Sequence, residues 1–103
     1  MASIDYIAGK PFEINQEVLS AIISDIKISI AEEKGLQEEN VEHEAYKKLA
    51  DYYYHITKGH LNALQSIGAD IDEFLNSDWL KGMENLITSL DKKSEELENE
   101  LNQ

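Results

Sequence analysis

The chain has 103 residues, with 21 Asp and Glu against 9 Lys, no Arg, no Cys and a net charge of −12. That length makes one domain, and an apolar content of 42% supplies one modest core. The missing cysteine excludes a disulfide framework, a thiolate zinc site and a cysteine nucleophile, while the charge repels nucleic-acid backbones and anionic membranes.

The opening residues 1–14 are expected to form an irregular N-terminal arm. In it Ile4, Tyr6 and Ile7 can tuck onto a core, and Gly9-Lys10-Pro11 breaks regular structure. No basic segment followed by an apolar run opens the chain, so a cytoplasmic location is the default expectation, with export lacking a cleavable signal left open. The most apolar stretch, from Val18 to Ile30, is interrupted by Ser20, Ser24, Asp25, Lys27 and Ser29 and cannot cross a bilayer.

Asn15 is a favoured N-cap, and Leu19, Ile22, Ile23, Ile26 and Ile30 then recur at helical spacing. The run Asp25 to Ile30 alternates like a strand, but the longer helical pattern around it outweighs that signal. Gly35 marks the stop. A second, long helix is predicted from Val41 to Ile67, carrying Ala45, Leu49, Tyr52, Tyr53, Ile56, His60, Ala63 and Leu64 on one stripe. Asp70 and Glu73 fit a capping box for a third helical region, which Asn76-Ser77-Asp78 can interrupt. Its stripe resumes with Trp79, Met83, Leu86, Ile87 and Leu90, then thins to Leu97 and Leu101.

These elements define an all-α fold: a three-helix bundle, or a long helical hairpin with a third helix laid across it. The expected organisation is the arm at 1–14, a helical bundle domain at 15–90, and an acidic C-terminal helical extension at 91–103. The last two helices outrun the first. That surplus predicts an apolar, coiled-coil-like seam through Ile56, Leu64, Trp79, Met83, Leu86 and Leu90, able to build a homodimer or a hetero-oligomer.

No arrangement of residues reads as an enzyme, and no cofactor is implied. The three histidines, His43, His55 and His60, all fall on the second helix, and no Glu is followed by His three residues later, as a carboxylate-bridged di-metal bundle requires. A metalloprotein using His55 or His60 with Asp51 is the minor alternative, and a packed core histidine is the expected state of His60. Trp79-Leu80-Lys81-Gly82 resembles the Trp-x-Gly element of small secreted WXG-type helical proteins. The spacing is one residue longer and the position is late rather than in a central turn, so no family follows from it.

Carboxylates cluster twice: Glu32, Glu33, Glu38, Glu39, Glu42 and Glu44 around the first turn, and Glu95, Glu96, Glu98 and Glu100 in the tail. Charges this dense repel one another unless a basic surface neutralises them, which makes both clusters docking candidates. Tyr52-Tyr53-Tyr54 is the other unusual feature. Three successive helical residues cover about 300° of the circumference, so two are expected inside and Tyr54 outside, where it can meet a partner. The expected function is therefore a non-enzymatic, acidic protein-binding module whose partner is another protein with a basic surface. It would act as an inhibitor if that surface normally handles nucleic acid, without binding nucleic acid or membrane itself. The alternative is a structural, oligomer-forming protein.

Overall fold

The computed structural model describes residues 9–103, and the expected packing of Ile4, Tyr6 and Ile7 lies outside them. Helix α1 (Gln16–Lys34) begins where the Asn15 side chain accepts hydrogen bonds from the amides of Glu17 at 2.7 Å and Val18 at 3.3 Å. Those bonds satisfy amides that the first turn leaves without partners. The helix ends at Gly35, whose φ of 67° is the left-handed conformation that glycine adopts without strain. The following Leu36 amide then returns to the Ala31 carbonyl at 3.0 Å.

Helix α2 (Glu38–Ser66) starts about one turn before the predicted Val41. Gln37 provides no side-chain cap there, but Glu38 and Glu39 place negative charge on the positive end of the helix dipole. The helix runs without interruption through Gly59. Asn76 and Ser77 do break the third helical region, as their composition implies. They separate the one-turn α3 (Ile71–Leu75) from α4 (Asp78–Leu101). Ser77 is buried and serves both sides of the break: its hydroxyl donates to the Phe74 carbonyl at 2.7 Å and accepts from the Leu80 amide at 3.2 Å.

The fold is all-α, a helical bundle organised around α2. Both α1 and α4 pack mainly against α2, and α3 packs on α2 and sets Phe74 against Trp79 of α4. His43 meets Ser94 and His60 meets Trp79, so α4 runs antiparallel to α2; Lys34 meets Glu44, so α1 does the same. The core takes Ile23, Ile30 and Ala31 from α1, Val41, Ala45, Leu49, Ala50 and Tyr53 from α2, and Trp79, Leu80, Met83 and Leu90 from α4. Two of the α2 contributors are alanines, which let its neighbours come close. The result is long and narrow, 47 × 25 × 23 Å, with a radius of gyration of 15.7 Å. A compact chain of this length would have roughly 13 Å.

The arm residues before α1 cross to α4. Phe12 stands edge-on to Trp79, with ring centroids 5.7 Å apart, and 5.9 Å from Tyr53. Its backbone lies directly on Gly82, where an added Cβ would fall 2.6 Å from the Phe12 carbonyl oxygen and 2.7 Å from its nitrogen. Gly82 is therefore the notch that seats the arm. A glycine inside a helix costs about 1 kcal/mol against alanine, and here that cost is offset by a contact no other residue permits.

Replacing Gly82 by Ala should lower stability by about 1–3 kcal/mol, because the backbone of the arm must lift. Gly59→Ala, where a Cβ meets nothing within 4 Å, should instead raise stability by about 0.5–1 kcal/mol. Urea unfolding of the two variants checks both signs, and a stabilised Gly82→Ala protein would show that the arm is not seated there.

Candidate functional site

The antiparallel arrangement has an electrostatic consequence. The C-terminal ends of α1 and α4 and the N-terminal end of α2 lie at one end of the molecule. Glu32, Glu33, Glu38, Glu39, Glu42 and Glu44 are thus brought together with Glu95, Glu96, Glu98 and Glu100. Glu42 and Glu44 are half-buried and the other carboxylates are exposed. Two of the three helix ends here are C-terminal and carry partial negative charge, which adds to that of the side chains.

A groove of 670 Å³ opens at this end. Ile30, Glu33 and Lys34 of α1 form one wall, and Asp91, Ser94, Glu95 and Glu98 of α4 form the other. His43, Glu44, Lys47, Lys48 and Asp51 of α2 lie between them. The polar contacts that hold the groove together come from inside it. Lys34 pairs with Glu44 across α1 and α2. Lys47 Nζ lies 3.1 Å from Asp91 and 3.7 Å from Asp51. The Ser94 hydroxyl, in a side chain almost wholly buried, donates to the His43 carbonyl at 2.8 Å. Of these, the Lys47–Asp91 pair and the Ser94 hydrogen bond tie α4 to α2 along a segment where the apolar residues of α4 have become sparse. Helix α4 accordingly continues unbroken through the segment read from sequence as an acidic extension.

The remaining sequence-derived residues are dispersed. Tyr54 is exposed, stands edge-on to His55, and has the Lys58 ammonium 5.7 Å from its ring centroid. Tyr53 is buried, but Tyr52 is 40% exposed, so one tyrosine of the three is in the core where two were expected. The reason is register: Tyr53 continues the Leu49 side of the helix, and Tyr52 lies a step off it. The apolar seam needs a larger correction. Trp79, Met83 and Leu90 are buried inside this single chain, and Ile56, Leu64 and Leu86 pack partly against the same core. Both long helices spend that stripe on intramolecular packing. His60 is packed as expected, its ring 4.9 Å from Phe74 and 5.9 Å from Trp79. Among the described residues, no group of three or more His, Asp or Glu is arranged to hold a metal ion, and no helix is long and apolar enough to cross a membrane.

What sequence reasoning missed is the role of Lys34, Lys47, Asp91 and Ser94 as cross-helix ties. The only available signal was a set of polar residues interrupting the α2 and α4 stripes, which reads equally well as a solvated face. No protein-family model matches the chain, and neither a curated protein nor a solved structure matches it.

Two groups couple this architecture to pH. The hydrogen bond to Asp91, followed by the charges of Asp91 and Asp51, holds the Lys47 ammonium above its ordinary 10.5. Burial, followed by the neighbouring Tyr52, pushes the Tyr53 phenol above 10.0. Lys47 stabilises the fold fully below 10.5, and that contribution is lost as pH rises through its folded value. The Tyr53 phenol ionises more readily in the unfolded chain, so each rise in pH above 10.0 favours unfolding. Lys47 is exposed, so solvent screens its share, and Tyr53 should dominate. Tyr53→Phe should move alkaline unfolding to higher pH with little change at neutrality, while Lys47→Met should shift it only slightly. Circular dichroism across an alkaline titration tests this, and an unmoved transition in Tyr53→Phe would contradict it.

Proposed function

We propose that this chain is a non-enzymatic, acidic helical module that docks by its acidic end on a basic surface of another protein. The observation that supports this most is convergence. Two carboxylate clusters far apart in sequence are carried to the same end by antiparallel helices, where folding brings together charges that repel one another. Such an arrangement is relieved by a cationic surface, and electrostatic complementarity of this kind acts mainly on association rate and partner choice. Where the partner's basic surface normally holds nucleic acid, the bound module would exclude it. The absence of Arg agrees with a protein that carries the anionic role in such a contact.

Catalysis has less support, because acid–base chemistry needs carboxylates held in a partly dry cleft, and those at the acidic end are exposed or half-exposed. Homo-oligomer formation through the long helices is also disfavoured. Half of the expected seam is consumed in the core, and a second copy would bring a further −12 of like charge.

The test is to titrate the protein against purified nucleic-acid-binding proteins with basic channels over a range of salt concentrations. Binding should weaken steeply with salt. It should fall roughly tenfold or more when Glu38, Glu39, Glu42 and Glu96 are changed to Gln, and stay near the wild-type value for Asp72→Asn with Glu73→Gln at the far end. Salt-independent binding, or equal losses from the two sets, would overturn the proposal.

A further inference from the structure

Residues 9–14 meet the helices by shape rather than by polar bonds. Among the described residues, no hydrogen bond or ion pair ties this stretch to a helix. Its hold on α2 and α4 is the Phe12 ring against Tyr53 and Trp79, together with the close seat of the Phe12 backbone on Gly82. Ile14 belongs to the other side of the junction. It is partly buried and packs on the core, as Leu19 does, at the spacing of a hydrophobic staple around the Asn15 cap. Helix α1 is capped by the Asn15 side chain, so its first turn needs no bond from the arm. The rings beneath Phe12 are also held from elsewhere. Trp79 lies 5.9 Å from Phe74 and 5.9 Å from His60, and Tyr53 shares the buried cluster with Leu49 and Met83.

We infer that residues 9–13 form a detachable strap, which turns at Glu13 and lifts from the α2–α4 face while the helices stay in place, uncovering Tyr53 and Trp79. Those two side chains are 4% and 3% exposed while the strap is seated. A segment with few buried contacts and no protected backbone bonds opens at lower cost than the fold as a whole. Phe12 is one partly buried ring, whereas the helices share a continuous buried cluster. The hinge falls at Glu13 because Phe12 before it belongs to the α2–α4 slot and Ile14 after it belongs to the start of α1. Gly82 sets the balance between the seated and lifted forms. Its missing Cβ is what lets the Phe12 backbone come down, and any side chain there pushes the strap toward the lifted form.

Chymotrypsin reads the strap directly, because it can cut after Phe12 only when that ring has left its slot. Cleavage of a transiently opened segment tracks the population of the open form. The full-length protein is digested over a range of urea concentrations below the unfolding transition, and the cut sites are followed by mass spectrometry. The cut after Phe12 should come first and depend weakly on urea, since lifting the strap exposes little surface. Cuts within α2 and α4 should be far slower and follow the steep urea dependence of global unfolding. Gly82→Ala should speed the Phe12 cut roughly tenfold or more, with the helical circular dichroism retained. One steep urea dependence shared by all sites in the wild-type protein would mean that strap and helices open together, and would overturn the inference. So would a wild-type cut after Phe12 as fast as in a free peptide of the same sequence, which would mean that the strap is not seated. An unchanged Phe12 cut in Gly82→Ala would remove the notch as the feature that holds it.

Discussion

The fold depends on one helix being covered from two directions at once. Helix α2 is the element that packs against α1, α3 and α4. Val41, Leu49 and Tyr53 share a single buried cluster with Ile23 and Ile30 on one side and with Met83 and Leu90 on the other. Ala45 and Ala50 keep both approaches close. A helix of 29 residues is about 43 Å long, nearly the full length of the molecule. Both α1 and α4 bury their apolar faces mainly against it.

From that constraint the ends of the molecule acquire opposite characters. The short turn after α1 and the α3-containing connection before α4 leave both helices antiparallel to α2, which puts most of the Glu-rich segments at one end. Repulsion there is countered by Lys34 and Lys47 and by the buried Ser94 hydroxyl. The other half of the molecule is closed by rings: Phe12, Tyr53, Trp79, His60 and Phe74 form a connected set of aromatic contacts. The Gly82 notch admits the arm to that set. Aromatic packing thus dominates one half, while in the other the buried contacts of Ile30, Ala31, Val41 and Ala45 are supplemented by polar ties between helices. The charged half is the one that salt and binding partners can influence most.

Helix periodicity and caps made much of this legible in advance. Asn15, Gly35, Asp70 and Ser77 each stand at a boundary because they satisfy or release specific backbone groups, and that chemistry is local. The stripes of α1, α2 and α4 were equally readable. Their partners were not, because a stripe announces that it must be buried without saying against what. Trp79, Met83 and Leu90 therefore looked available for a second chain when the same chain already covers them. Gly82 looked like part of a motif, and only the crossing of the arm explains it. The clusters around Glu38 and Glu98 were visible singly, but their convergence depends on how the turns send α2 and α4 past one another.

The most direct test of this account is a pair of spin-label distances, which the absence of native cysteine makes straightforward. Labels introduced by Glu38→Cys and Glu98→Cys should report a short separation, since His43 and Ser94 are in register one turn further in. Labels at Ile67→Cys and Glu98→Cys should approach the 47 Å long axis. Similar distances for the two pairs, or a long one between positions 38 and 98, would mean that folding does not gather the two clusters, and the proposed docking end would not exist.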